Sequence, residues 1–122
     1  MRWLLLALAA PATQACELPG GPAERLQSAT HTVLYRAEPA PEVGKHFALE
    51  LAVCPPPKVL RVDAWMPAHR HGMNYRPSLQ PLGGGRYRAE GLLFHMPGRW
   101  EFLFEVRGAD QTERFGHGVQ VE

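Results

Sequence analysis

The sequence predicts an all-β protein, an immunoglobulin-like β-sandwich of six to seven strands. Three observations carry this. Apolar and polar residues alternate strictly in several short runs, the mark of half-buried strands. Clusters of Pro, Gly and Asp separate the runs, as at Pro39-Ala40-Pro41, Pro55 to Pro57, Gly83-Gly84-Gly85, Pro97-Gly98 and Gly108-Ala109-Asp110. No sustained helical period occurs beyond the first residues. Strands at this spacing in about 100 residues suggest a sandwich, with a small barrel as the alternative.

The first strand is expected over Thr30 to Arg36. In the second, Phe47, Leu49, Leu51 and Val53 alternate with His46, Ala48, Glu50 and Ala52. Leu60, Val62, Ala64 and Met66 form the inward set of the third. Residues 77–81 form at most a short edge piece, because Pro77 and Pro81 cannot donate to a central ladder. Tyr87 to Phe94 follows. Within it the inward parity changes from odd (Tyr87, Ala89) to even (Leu92, Phe94), and Gly91 between them suggests a β-bulge. Trp100, Phe102, Phe104 and Val106 supply the aromatic centre of the core. Phe115, His117, Val119 and Val121 close the fold.

The N-terminus reads as an export signal over residues 1–15. Arg2 is followed by an apolar run from Trp3 to Ala10, too short to span a bilayer, and Thr13-Gln14-Ala15 offers small residues for cleavage. A buried N-terminal helix is the alternative. Removing 15 of the 122 residues leaves 107, expected in the periplasm. Arg2 is the only charged residue lost, so 13 basic residues become 12 against 12 acidic ones. A neutral chain without a basic patch argues against nucleic acid, and no second apolar run exists for a membrane span. Residues 16–29 form a Pro/Gly-rich lead-in, loosely attached, with at most one helical turn near Ala23 to Gln27. Residues 30–122 form the single domain.

Two cysteines in an exported chain favour a Cys16–Cys54 disulfide. Its loop of about 39 residues stabilises by roughly 3–4 kcal/mol in the chain-entropy model. Lipidation of Cys16 and thiolate ligation by Cys54 are the rival roles. Thr13 stands where a lipoprotein signal usually has Leu.

The chemistry concentrates in two short segments. His69-Arg70-His71-Gly72-Met73 follows Trp65-Met66-Pro67, and His95-Met96-Pro97 echoes it. Beyond Met1 the chain has three methionines, and all three lie here. Thioethers select soft Cu(I), and imidazole accepts Cu(I) and Cu(II), so the pattern points to copper. In an extended segment His69, His71 and Met73 point the same way. Both segments follow strands and can meet at one end of a sandwich. With the Gly91 bulge, Met96 faces the core side and His95 the other; without it they exchange roles. The competing reading makes Met66 and Met96 core caps and leaves His69 and His71 in solvent. Zinc would have to use His69, His71 and His95, with Asp63 as the one further candidate, because thioethers serve it poorly. Asp63 reads otherwise as a solvated strand residue or as a partner that orients a histidine. His31 and His46 read as surface residues. His117, between Gly116 and Gly118, is odder, since flanking glycines let a backbone or ligand approach closely.

Met66-Pro67-x-His69-x-His71-Gly72-Met73, Gly85-x-Tyr87 and Met96-Pro97-Gly98-x-Trp100 together resemble the YtkA-like domain, which is related to the FixH-like proteins. The resemblance spans residues 30–121. It implies a small immunoglobulin-like sandwich in exported or membrane-anchored bacterial proteins linked with copper handling or oxidase assembly. It also implies His69, His71 and Met73 as metal ligands, with Met66, His95 and Met96 as partners.

Three functions follow as expectations. The first is a periplasmic copper carrier, scavenger or metallochaperone that hands its ion to a periplasmic or membrane-bound partner protein. The second is a metal-free interaction module, with Trp65, Arg70, Tyr75 and Arg76 as recognition residues. Arg70, Arg76, Arg86 and Arg88 form a solvated face or dock an acidic partner. The third, an enzyme, is disfavoured. No nucleophile stands in a recognisable arrangement with His and a carboxylate. A histidine-brace oxygenase would need His at the mature N-terminus, where Cys16 is expected.

Overall fold

The computed structural model describes residues 4–6 and 16–122. The export-signal reading therefore lies almost wholly outside the described residues. Within them, no helix is long and apolar enough to cross a membrane. The described residues form nine strands, β1 (Glu24–Gln27), β2 (Thr32–Glu38), β3 (His46–Cys54), β4 (Val59–Met66), β5 (His71–Gly72), β6 (Ser78–Gly83), β7 (Arg86–Leu93), β8 (Gly98–Arg107) and β9 (Thr112–Val121). They make two sheets, β1-β2-β3-β7-β6 and β5-β4-β8-β9, with every neighbouring pair antiparallel. The orders β2-β3-β7-β6 and β4-β8-β9 match the two sheets of an immunoglobulin-like sandwich.

Alternation places the core. Leu49, Leu51 and Val53 from one sheet meet Trp100, Phe102, Phe104 and Val106 from the other, all at most 1% exposed. The parity change in β7 is real. Leu92 pairs with Phe47 and Ala89 with Leu49, so three steps on β7 match two on β3. Gly91 takes a φ of 83° there, a left-handed value that glycine adopts without Cβ strain.

Two strands exceed the expected six to seven. β5 is a two-residue pairing of His71 and Gly72 with Met66 and Trp65. β1 replaces the helical turn expected near Ala23 to Gln27. Its residues pair with Thr32 to Tyr35 around a turn in which Ser28 N–H donates to the His31 carbonyl at 2.9 Å. The Ser28 hydroxyl also accepts from the Thr30 and His31 N–H groups, the local bonding that makes Ser a turn residue. β1 is mostly exposed, so burial left no periodic trace in its sequence.

The lead-in is attached rather than loose. Leu18 is buried against Leu34 and Ala52, with Cys16 beside them, which explains why Ala52 on the outward face of β3 is buried. Arg36 donates to the carbonyls of Pro19 and Gly21 and pairs with Glu50 at 2.6 Å. Cys16 and Cys54 are bonded, with their Cα atoms 5.7 Å apart. This excludes Cys54 as a free thiolate ligand.

His31 is less of a surface residue than expected. Its ring stands 3.2 Å from Glu113 with only 10% of the side chain exposed. The hydrogen-bonding groups of Ser28, then the approach of His31, hold the Glu113 carboxyl below its usual range. A depressed carboxylate contributes stability that is present above its unfolded value and is lost as pH falls through the folded one.

The β6–β7 hairpin turns through Gly84 and Gly85 at φ values of 64° and 79°, the left-handed pair that a two-residue hairpin favours. A Cβ on Gly84 would meet nothing, whereas one on Gly85 would overlap the Val53 carbonyl oxygen. Gly84→Ala is therefore expected to cost roughly 1–2 kcal/mol, the left-handed penalty alone. Gly85→Ala adds an overlap of roughly 1–3 kcal/mol, and urea melts of the two variants check the order. The paired Cys16→Ser and Cys54→Ser variant should lose about 4 kcal/mol. Thermal unfolding beside the parent measures this.

Candidate functional site

The two chemistry-bearing segments meet at one end of the sandwich. β4 and β5 are joined by a four-residue turn, Pro67 to Arg70, in which the Met66 carbonyl accepts from the N–H groups of His69 (3.2 Å) and Arg70 (2.8 Å). Arg70 adopts a φ of 53°, an uncommon conformation for a side chain other than glycine. The turn leaves His69 exposed and returns the chain so that His71 pairs with Met66. The second segment connects β7 to β8 and carries His95.

Three imidazoles line up there. The ring centroids of His69 and His71 are 5.7 Å apart and stacked, and those of His71 and His95 are 5.2 Å apart. The row rests on Trp100, which is fully buried. Trp100 meets His95 edge-on at 5.4 Å and His71 at 6.0 Å. It also donates from Nε1 to the Met96 carbonyl at 3.1 Å, fixing the main chain beside His95. Sequence spacing shows Trp100 as a core residue but not this second role, because the role depends on how the β7–β8 connection folds back.

The polar atoms of the row are unevenly satisfied. His71 Nδ1 lies 3.2 Å from the Gly72 carbonyl. Donation to that carbonyl places the proton on Nδ1 and leaves Nε2 with a free lone pair, the arrangement often seen in metal-binding histidines. Among the described residues, His95 Nδ1 is buried without a partner, as is Trp65 Nε1. A buried polar atom without a partner costs free energy, and an ion on Nδ1 would satisfy it. The histidines thus fit a metal in donor type.

They do not form a finished cage. Among the described residues, no three His, Cys, Asp or Glu side chains converge as metal ligands. The thioethers face inward. Met66 is 1% exposed, and Met73 and Met96 are half-buried against the same core. His95 and Met96 therefore divide as the bulged alternative requires, with the imidazole in the row and the thioether on the core side.

The remaining histidines lie elsewhere. His46 begins β3 opposite Leu93, with its ring 6.1 Å from that of Tyr75. His117 sits on β9 and bonds Tyr35. Asp63 accepts from the N–H of its neighbour Ala64 at 2.8 Å. A cavity of about 580 Å³ between β4 and β6 is lined by Leu60, Val62, Pro77 and Leu79 among others, and none of the three row histidines borders it.

Comparison with known proteins gives one family. Residues 54–104 match the model of the YtkA-like family. This stretch is narrower than the residues 30–121 over which the sequence shows its resemblance, yet it contains all three motifs. No curated protein and no solved structure matches.

Trp100→Phe should keep a ring in the core but leave the Met96 carbonyl without its donor. The expected cost is roughly 1–3 kcal/mol, with the largest amide chemical-shift changes at residues 94–97. Heteronuclear NMR with a thermal melt checks both.

Proposed function

From a chain that is YtkA-like over residues 54–104, we propose that this protein binds copper and acts as an exported carrier, scavenger or metallochaperone in the periplasm. The observation that carries the reading is the row His69, His71 and His95 above Trp100. Three imidazoles supply donors for Cu(I) or Cu(II). His71 offers Nε2, because its Nδ1 faces a carbonyl. His95 would contribute its Nδ1, and His69, stacked beside His71, would be the third imidazole donor. Met73 and Met96, half-buried against the core, are the candidate thioethers. Met66, fully packed, supports the site from below.

A carrier must release its ion. Imidazoles on an exposed turn and a short loop suit exchange better than a closed cage of buried thiolates. When bound, copper supplies charge and redox capacity; the chain's own residues hold and shield it. The exposed Tyr75 beside His46 favours a second reading, in which this end of the molecule recognises a protein without metal.

A Cu(I) competition titration against a chromophoric chelator decides between them. The parent protein should bind one equivalent. His71→Ala with His95→Ala should weaken binding at least about 100-fold, the scale of losing metal-site contacts, whereas His31→Ala should leave it unchanged. Binding no tighter in the parent than in the double variant would sink the copper reading. Retention of a partner protein under strong chelation would then support the recognition module.

A further inference from the structure

His117 lies at the other edge of the sandwich, on β9, flanked by Gly116 and Gly118. Both glycines are filled from outside. Glu101 lies over Gly116, and the Arg99 guanidinium lies over Gly118. The imidazole itself turns inward, on the same side of β9 as Phe115 and Val119. Its Nδ1 is hydrogen-bonded to the Tyr35 hydroxyl of β2, and its Nε2 stands 3.9 Å from the Glu24 carboxylate of β1. The three side chains border a groove of about 460 Å³ between β1–β2 and β9, lined also by Pro22, Pro41 and Phe102. Tyr35 is 3% exposed.

We propose that Glu24, Tyr35 and His117 form a proton-operated latch that draws β1 against β9 when His117 takes up a proton. The direction of the hydrogen bond carries the inference. Glu24 can only accept, so Nε2, the nitrogen that faces it, carries the hydrogen of the neutral imidazole. Nδ1 is then the acceptor, and the Tyr35 hydroxyl, kept protonated by burial and then by the nearby Glu24 charge, donates to it. Protonation puts a hydrogen on Nδ1 as well. Tyr35 must become the acceptor and turn its own proton away, and Glu24 is the nearby carboxylate that can receive it. The same event makes His117 a cation opposite Glu24. Both changes pull the Glu24 carboxylate, and β1 with it, toward β9.

The neighbouring charges do not compensate. Arg36 of β2 is held by Glu50 and by the carbonyls of Pro19 and Gly21. Arg99 and Glu101 of β8 lie on the opposite face of β9 and oppose each other in sign. Gln120 on β9 is neutral. The latch therefore closes as His117 takes up its proton. β1 is well suited to move. It is a four-residue edge strand with one half-buried residue, the kind of element that opens at low cost.

The test is amide hydrogen exchange of Glu24 to Gln27 on the full-length, disulfide-bonded protein, titrated from roughly pH 8 to pH 5 and corrected for intrinsic exchange. Protection of β1 should rise roughly two- to fivefold, the scale of an exposed ion pair. Glu24→Gln should abolish the rise, and Glu90→Gln, on β7, should not. Long-range nitrogen-15 NMR should find the neutral His117 ring protonated on Nε2. Protection that does not change with pH, an equal rise in Glu24→Gln, or a neutral ring protonated on Nδ1 would each overturn the latch.

Discussion

The histidine-bearing end of this molecule depends on one buried indole. Trp100 stacks on Phe94 at 4.5 Å with the planes 19° apart, and Phe94 in turn meets Phe47 and Phe102. The two sheets are therefore joined, just below the histidine row, by a continuous aromatic layer. Aromatic pairs add to the free energy of burial and also prefer particular geometries. That preference transmits order outward, since the same indole borders His71 and His95 and holds the Met96 carbonyl. A site made of loops is normally the mobile part of a sandwich. Here its floor, Trp100 on Phe94, is fully buried core.

The division between imidazoles and thioethers follows from the same packing. Met66 and Met96 take up space that the aromatic layer leaves at the end of the sandwich. Met66 fills the gap under Gly98, where a Cβ would collide with its terminal methyl group. Methionine suits such irregular gaps because it is unbranched and flexible. The histidines are left on the water side, where exchange with solvent and with a partner is possible. On the copper reading, the inner thioethers and outer imidazoles differ in accessibility as well as softness, so an ion would meet nitrogen first.

Most of the fold is legible in the sequence because most strands bury one face. The runs at 46–53, 60–66, 100–106 and 115–121 alternate and appear as strands within a few residues of their expected ends. Even the bulge can be read, from a parity change across Gly91. What escapes notice is structure whose cause is not burial. β1 is held by a polar turn and by its neighbour's backbone, and β5 is two residues long. The lead-in reads as loose because its anchors, Leu18 beneath Leu34 and the Arg36 contacts, are long-range. The candidate site is legible in its residue types and not in its geometry. His69, His71 and His95 stand out by spacing, but their alignment depends on the Pro67–Arg70 turn and on Trp100.

The disulfide gives the molecule a direction. β3 runs from His46, whose partner Leu93 is two residues from His95, to Cys54 at the far end of the sandwich. Eight residue steps of strand span roughly 27 Å, so Cys16 leaves the domain about that far from the histidines. Anything joined ahead of Cys16 would hold the domain by its base and present the imidazole row outward.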